Sequence, residues 1–286
     1  MILNPKIISI HFYKWLFSIF FFSLIWITPI TSYAAAWLQS KGDGLIIGNI
    51  QPYLSCTYWD KQSNLHSGPC FRQFSINPYI EYGLLSNLTL VVNPTFNSFS
   101  QSGQSSPFGL AYTTVGGRFL LNHKDWNTLS FQALYNQPFK SKNFGNGATP
   151  SAQYALANEQ PYLDLRILYG TGGQFDPKEY STWYADAEAS FRPYFDGAAD
   201  EIHVDFMAGF KTLNQRLIFE LQELNTISLH NPKNFQQPNY NLYTVMPSVI
   251  YWYRKNMAAQ LGIKQDFYGN NIGKGTAPFI AFWFKL

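Results

Sequence analysis

From about residue 45 onward, apolar and polar side chains alternate with a period of two. In Ile76-Asn77-Pro78-Tyr79-Ile80-Glu81-Tyr82 the even positions are apolar and the odd ones carry Asn, Tyr and Glu. Leu163, Leu165, Ile167 and Tyr169 alternate with Asp164, Arg166 and Leu168, and Ala185, Ala187, Ala189 and Phe191 with Asp186, Glu188, Ser190 and Arg192. The same holds for Ile202–Lys211, Leu217–Gln222 and Ala259–Lys264. A period of two places successive side chains on opposite faces of a strand. The pattern predicts twelve strands, over about 45–58, 70–84, 87–98, 109–121, 127–138, 159–169, 181–192, 201–212, 215–228, 240–254, 257–268 and 276–286. Most match the roughly 9–11 residues that a tilted strand needs to cross a bilayer. The predicted fold is all-β: a transmembrane, antiparallel, up-and-down β-barrel.

The connections alternate in length. Residues 59–69, 99–108, 139–158, 193–200, 229–239 and 269–275 are long and rich in Gly, Ser, Asn, Asp and Pro. Tight turns are expected at Ser86, His123–Trp126, Leu213-Asn214 and Lys255-Asn256, while 170–180 is long where a short turn is due. Short periplasmic turns and long outer loops are the layout of outer-membrane barrels. Cys56 and Cys70, the chain's two cysteines, would bracket the first outer loop as a disulfide. Aromatic residues gather near strand ends, at Tyr58-Trp59, Trp183-Tyr184, Tyr240, Tyr243, Tyr251-Trp252-Tyr253, Phe267-Tyr268 and Phe282-Trp283-Phe284. Such rings favour the membrane interface and predict a belt.

Composition sharpens this. Only 13% of the 286 residues are charged, whereas 18% are aromatic. A nucleic-acid binder needs a basic face, and none is present. Lys6 and Lys14 are followed by an apolar run from Trp15 to about Ile30, then Ser32-Tyr33-Ala34 and Ala34-Ala35-Ala36. A basic start, an apolar middle and a small-x-small end read as a signal peptide over 1–36, cut after Ala36 or Ala34, ahead of a barrel over 37–286. The other reading of this segment is an uncleaved anchor. Export agrees with a paired cysteine set and predicts the bacterial outer membrane as destination. Outer-membrane lipid and, during biogenesis, the barrel assembly machinery are the expected partners.

With the apolar parity toward lipid, the other parity carries Glu81, Arg118, Asp164, Arg166, Asp186, Glu188, Arg192, Asp205, Lys211, Arg216, Glu220, Lys264 and Asp266. Arg or Lys facing lipid at mid-depth would cost about 2–4 kcal/mol, so these groups are assigned to the lumen. Two outcomes stay open: a polar pore lining for small solutes, with residues 139–158 folding inward as a constriction, or a filled, salt-bridged interior whose outer loops mediate contacts. Gly83, Gly116, Gly117, Gly209 and Gly262 fall within strands, as barrel curvature requires. Pro247 also falls inside a predicted strand, where proline cannot donate to the ladder. A third reading, an embedded hydrolase, rests on Ser190 and His203 on neighbouring strands with Asp186 and Asp205 nearby. His66, His123, His203 and His230 share no metal-ligand spacing, and G-x-S-x-G, P-loop and H-E-x-x-H motifs are absent. The expectation is a non-enzyme without a cofactor.

The segments INPYIEYGLLSNLTL (Ile76–Leu90), YLDLRILYG (Tyr162–Gly170) and DEIHVDFMAG (Asp200–Gly209) resemble proteobacterial outer-membrane barrels, the transporter-like group associated with phenol-degradation (MetA-pathway) proteins. The first segment is the most specific, a strand, a tight periplasmic turn and a returning strand. The resemblance implies a barrel and the uptake of small molecules, aromatic ones among them. Such barrels usually finish on an aromatic residue; here Phe282 and Phe284 keep the alternating phase but the last residue is Leu286.

Overall fold

A computed structural model describes residues 36–101, 104–105, 108–139, 160–176, 181–195, 197–230 and 239–286. Thirteen strands follow one another: β1 (Gly44–Trp59), β2 (Leu65–Leu85), β3 (Leu88–Gln101), β4 (Gln104–Ser105), β5 (Gly109–Lys124), β6 (Asn127–Pro138), β7 (Tyr162–Asp176), β8 (Ser181–Arg192), β9 (Glu201–Thr212), β10 (Leu217–Ser228), β11 (Asn241–Arg254), β12 (Met257–Asn270) and β13 (Ile272–Lys285). β4 is a two-residue stub folded back on β3. The other twelve pair antiparallel with their neighbours in chain order. β1 pairs with β13 on one side and β2 on the other, so the sheet closes on itself. Closure leaves no unpaired edge, which is why strands can cross a bilayer. No described helix is long and apolar enough to do so.

The alternation sorts as expected. Leu54, Ile167, Phe191, Phe219, Leu221, Leu261 and Ile263 lie exposed on the outside. Their neighbours Asp164, Asp186, Glu220 and Asp266 are buried inside. One acid departs from the rule. Glu223 has outward parity and is half-buried. Beside it the β9–β10 ladder is interrupted between Phe206 and His203, where the Asn225 amide donates to the Asp205 carboxylate instead (3.1 Å).

Several boundaries differ from the sequence reading. The expected loop 269–275 is a turn at Asn271, whose left-handed φ of 53° an asparagine tolerates, so β12 and β13 form a tight outer hairpin. β7 runs on through Gly170–Asp176, which accounts for the long connection expected there; residues 177–180, and the expected constriction apart from Phe139, lie outside the described residues. β1 and β2 extend to Trp59 and Leu65, and Asp60 closes the turn by accepting from the Gln62 and Asn64 amides. Cys56 and Cys70 are bonded as expected, across the two strands at a bulge between Ser55 and Thr57, and bracket the outer turn together with the ends of β1 and β2. Pro247 pairs with Leu221 of β10, faces outward, and coincides with a gap in the β11–β12 ladder. Proline's missing N–H thus falls where no bond is made.

A lumen crossed by the chain's own N-terminal segment

Residues 36–39 run through the interior. At Ser40–Asp43 the chain turns, with Gly42 at a φ of 89°, a conformation that favours glycine, and swings into β1. Upstream of the turn, single hydrogen bonds tie this strap to the wall. The Gln39 amide donates to Thr89 Oγ1 (2.9 Å), and Gln39 Nε2 donates to Glu81 Oε2 (2.7 Å). Arg118 Nη1 donates to the Trp37 carbonyl (3.0 Å), Ser130 Oγ donates to the Ala36 carbonyl, and the Ala36 N–H reaches Asp186 Oδ1 (3.3 Å). These partners come from β2, β3, β5, β6 and β8. The Trp37 ring packs farther round, against a cluster of Tyr184, Ile218, Ile250, Trp252 and Ala258. Gly170 makes room for it: a methyl added there would lie 2.3 Å from the Trp37 ring and 2.7 Å from Asp186 Oδ1. The strap therefore spans the barrel from the β2–β3 wall to the β8–β11 wall.

On the outer side of the strap is a charge network. Arg166 meets Asp164 (3.3 Å), Glu188 and Asp205 (3.0 Å). Arg192 meets Asp164 (2.7 Å) and Glu201 (3.5 Å), and its guanidinium stacks 4.5 Å over the Tyr162 ring. Glu201 also accepts from the Tyr240 and Tyr194 hydroxyls and contacts His203 Nε2. At the level of the strap, Arg118 pairs with buried Glu81 (2.9 Å) and donates to Gln132 and to the Tyr79 hydroxyl. Toward the tight turns, Tyr184 donates to Glu220 (2.6 Å), Lys211 lies 5.1 Å over the Tyr184 ring, and Lys285 sits 4.1 Å over Trp252. Asp266 accepts from Tyr53, Thr244 and the Gly275 amide.

The inward set read from the sequence thus comes together in the interior, with one correction. Arg216 lies in the 213–216 turn, exposed at the periplasmic rim, because β10 begins at Leu217 and not at 215. Lys264 is half-buried and registers with buried Ala277 on the inward parity. The aromatic belt also needs correction: Tyr184 is 2% exposed and Trp252 8%, and Trp283 packs beside Trp252, all three inside; the two tryptophans have the phase of Ile250 and Ala258 rather than of Tyr251 and Tyr253, and Tyr184 that of Asp186. The hydrolase arrangement does not form. Ser190 and His203 are register partners, yet Ser190 Oγ has no hydrogen-bond partner among the described residues, and His203 is held by Glu201 and Thr226. Nothing in the alternation flagged the strap; an unassigned Trp37 just beyond the alanine run was its one trace in the sequence.

Known outer-membrane structures are similar to this one to different degrees. An outer membrane channel from Pseudomonas putida F1 shares the architecture, with a TM-score of 0.69 over 90% of this chain and 100% of its own, at 11% identity. The NanC porin gives 0.46 over 84% and 100% at 9% identity. The CymD monoaromatic hydrocarbon channel gives 0.38 over 87% and 89% at 7% identity. No protein-family model matches the chain, and no curated protein does. The expected likeness to transporter-like outer-membrane barrels holds at the level of the fold.

Proposed function

We propose that this barrel conducts small solutes across the outer membrane and that residues 36–39 occupy its lumen at rest. The carrying observation is how the strap is held. It makes no ladder with the wall upstream of Ser40, only isolated bonds to Thr89, Glu81, Arg118, Ser130 and Asp186. Each net bond is worth about 0.5–1.5 kcal/mol, so a few can be exchanged for solute or water contacts without unfolding the wall. The outer network of Arg166, Arg192 and their carboxylates, edged by Tyr162, Tyr194 and Tyr240, offers both charge signs and ring faces to an incoming molecule. That mixture suits a small polar or aromatic solute better than a single class of ion. The lumen residues act in this reading as a lining and as a seat for the strap, and the chain does no chemistry of its own.

Export belongs to the same reading. Residues 1–34 are the leader, removed in the alanine run before the barrel assembles, and the outward phase of Phe282 and Phe284 on β13 presents the C-terminal signal to the assembly machinery. Planar-bilayer recording tests the function. The purified protein should give small, discrete openings, and a chain lacking residues 37–42 should conduct several-fold more. Silence from both proteins would refute conduction and favour a sealed barrel whose loops make contacts.

A further inference from the structure

Asp186 is 4% exposed, yet its Oδ2 has no hydrogen-bond partner among the described residues, and Oδ1 accepts one amide, that of Ala36. The other inward carboxylates are satisfied. Glu81 has Arg118, Asp164 has Arg166 and Arg192, and Glu188 and Asp205 share Arg166. Glu201 has Arg192 and His203, Glu220 accepts from Tyr184 and Gln222, and Asp266 accepts from three donors. The groups facing Asp186 from adjacent strands are Gly170 and Met207, which carry no charge, and its nearest charged neighbour on β8 is Glu188, a like charge. Arg118 acts on Asp186 from across the lumen, but its guanidinium contacts go to Glu81, Gln132, Tyr79 and the Trp37 carbonyl, so among the described residues no cation touches this carboxylate, and leaving it buried and uncontacted is costly.

We propose that the missing cation is the chain's own α-ammonium, made when the leader is removed, so that Asp186 is the receptor for the mature N-terminus. This rests on the export reading above and adds the position of the cut and its purpose. Ala36 is fully buried and uses both backbone groups in the lumen, its N–H toward Asp186 and its carbonyl toward Ser130. A cut after Ala36 would discard both contacts. A cut after Ala34 keeps them. Water adds across the Ala34–Ala35 peptide bond under an export peptidase; the carboxylate stays on Ala34, and the freed amine of Ala35 takes up a proton. The new charge is then one residue from Ala36, and adjacent Cα atoms are only about 3.8 Å apart. An uncleaved chain presents an uncharged amide there, so the charge pair with Asp186 forms only in processed protein.

Two measurements test this. The protein isolated from outer membranes should begin at Ala35 by N-terminal sequencing and intact mass. A start at Trp37 overturns the proposal while leaving export intact; an uncut chain overturns both. The second uses processed protein carrying Leu38→Cys, a half-buried strap position that makes none of the bonds to the wall named above, with the native disulfide kept oxidised. N-terminal transamination converts the α-amine to an uncharged carbonyl without touching lysines. Labelling of the introduced thiol by a soluble maleimide should quicken about tenfold after transamination, equally with Asp186→Asn, and no further with both. Labelling unchanged by transamination, or effects that multiply, would show that Asp186 holds the Ala36 amide alone. Heat-modifiable gel migration reports whether each variant is folded. If Asp186→Asn does not fold, the transamination arm decides by itself.

Discussion

Three carboxylates, from Asp164, Glu188 and Asp205, converge on the one guanidinium of Arg166. Of these three, Arg192 reaches only Asp164, so Arg166→Met leaves Glu188 and Asp205 without their ion-pair partner. Removing one member of such a buried set costs about 3–5 kcal/mol, and urea unfolding of the detergent-refolded barrel should show that loss. Outside the membrane, His66 and the neighbouring amides hold the Asp60 carboxyl down to about 2, mainly through its bond to His66. A depressed carboxyl stabilises the fold above its unfolded value, near 3.8. Its contribution to the β1–β2 turn is therefore complete at neutral pH and disappears as pH falls from near 3.8 through about 2. Carbon NMR titration of Asp60 should give that midpoint, and a midpoint near the unfolded value would contradict the turn geometry. Single-residue polarity made the inward carboxylates legible in the sequence. It hid Ile250 and Trp252, because apolar side chains on the inward parity read as lipid-facing until something apolar, here the Trp37 ring, is known to lie inside.

At the scale of the element, strand identity was legible and strand length was not. Alternation continues past the membrane boundary in β2, which is 21 residues long, and in β7, and no turn residue marks where lipid ends. Asn271 alone suffices to reverse the chain, so a Gly-rich run expected as a loop became ladder instead. The cross-strand pair Cys56–Cys70 fixes the outer end of β1 against β2. A closed loop of that size accounts for about 3 kcal/mol through the unfolded chain, an upper figure here because the flanking ladder already restrains both strands. Cys56→Ser with Cys70→Ser should lower the urea midpoint accordingly, without changing migration of the folded band. The strap was illegible for a physical reason. Residues 36–39, joined to the wall by isolated bonds, have no period, and their partners lie 42 to 150 positions away in sequence.

The molecule as a whole is a closed wall with a greasy exterior and a filled, mixed-charge interior. Its two faces predict opposite responses to the same chemistry. Leu221→Arg, on an outward position 54% exposed, should cost about 2–4 kcal/mol if it lies near the bilayer midplane. Gln222→Arg next to it, on the inward parity beside Glu220, should cost far less. Equal losses at both sites, measured by unfolding in lipid vesicles, would contradict the assignment of faces. The wall is joined at a seam: Leu45 registers with Lys285, and the Leu286 amide donates to the Gly44 carbonyl (2.9 Å). The first strand waits for the last, so the cylinder cannot shut until the ribosome has finished the chain. A polypeptide ending before Ile272 should therefore leave one side of the first strand unpaired and be cleared by quality-control proteases rather than accumulate as a smaller pore.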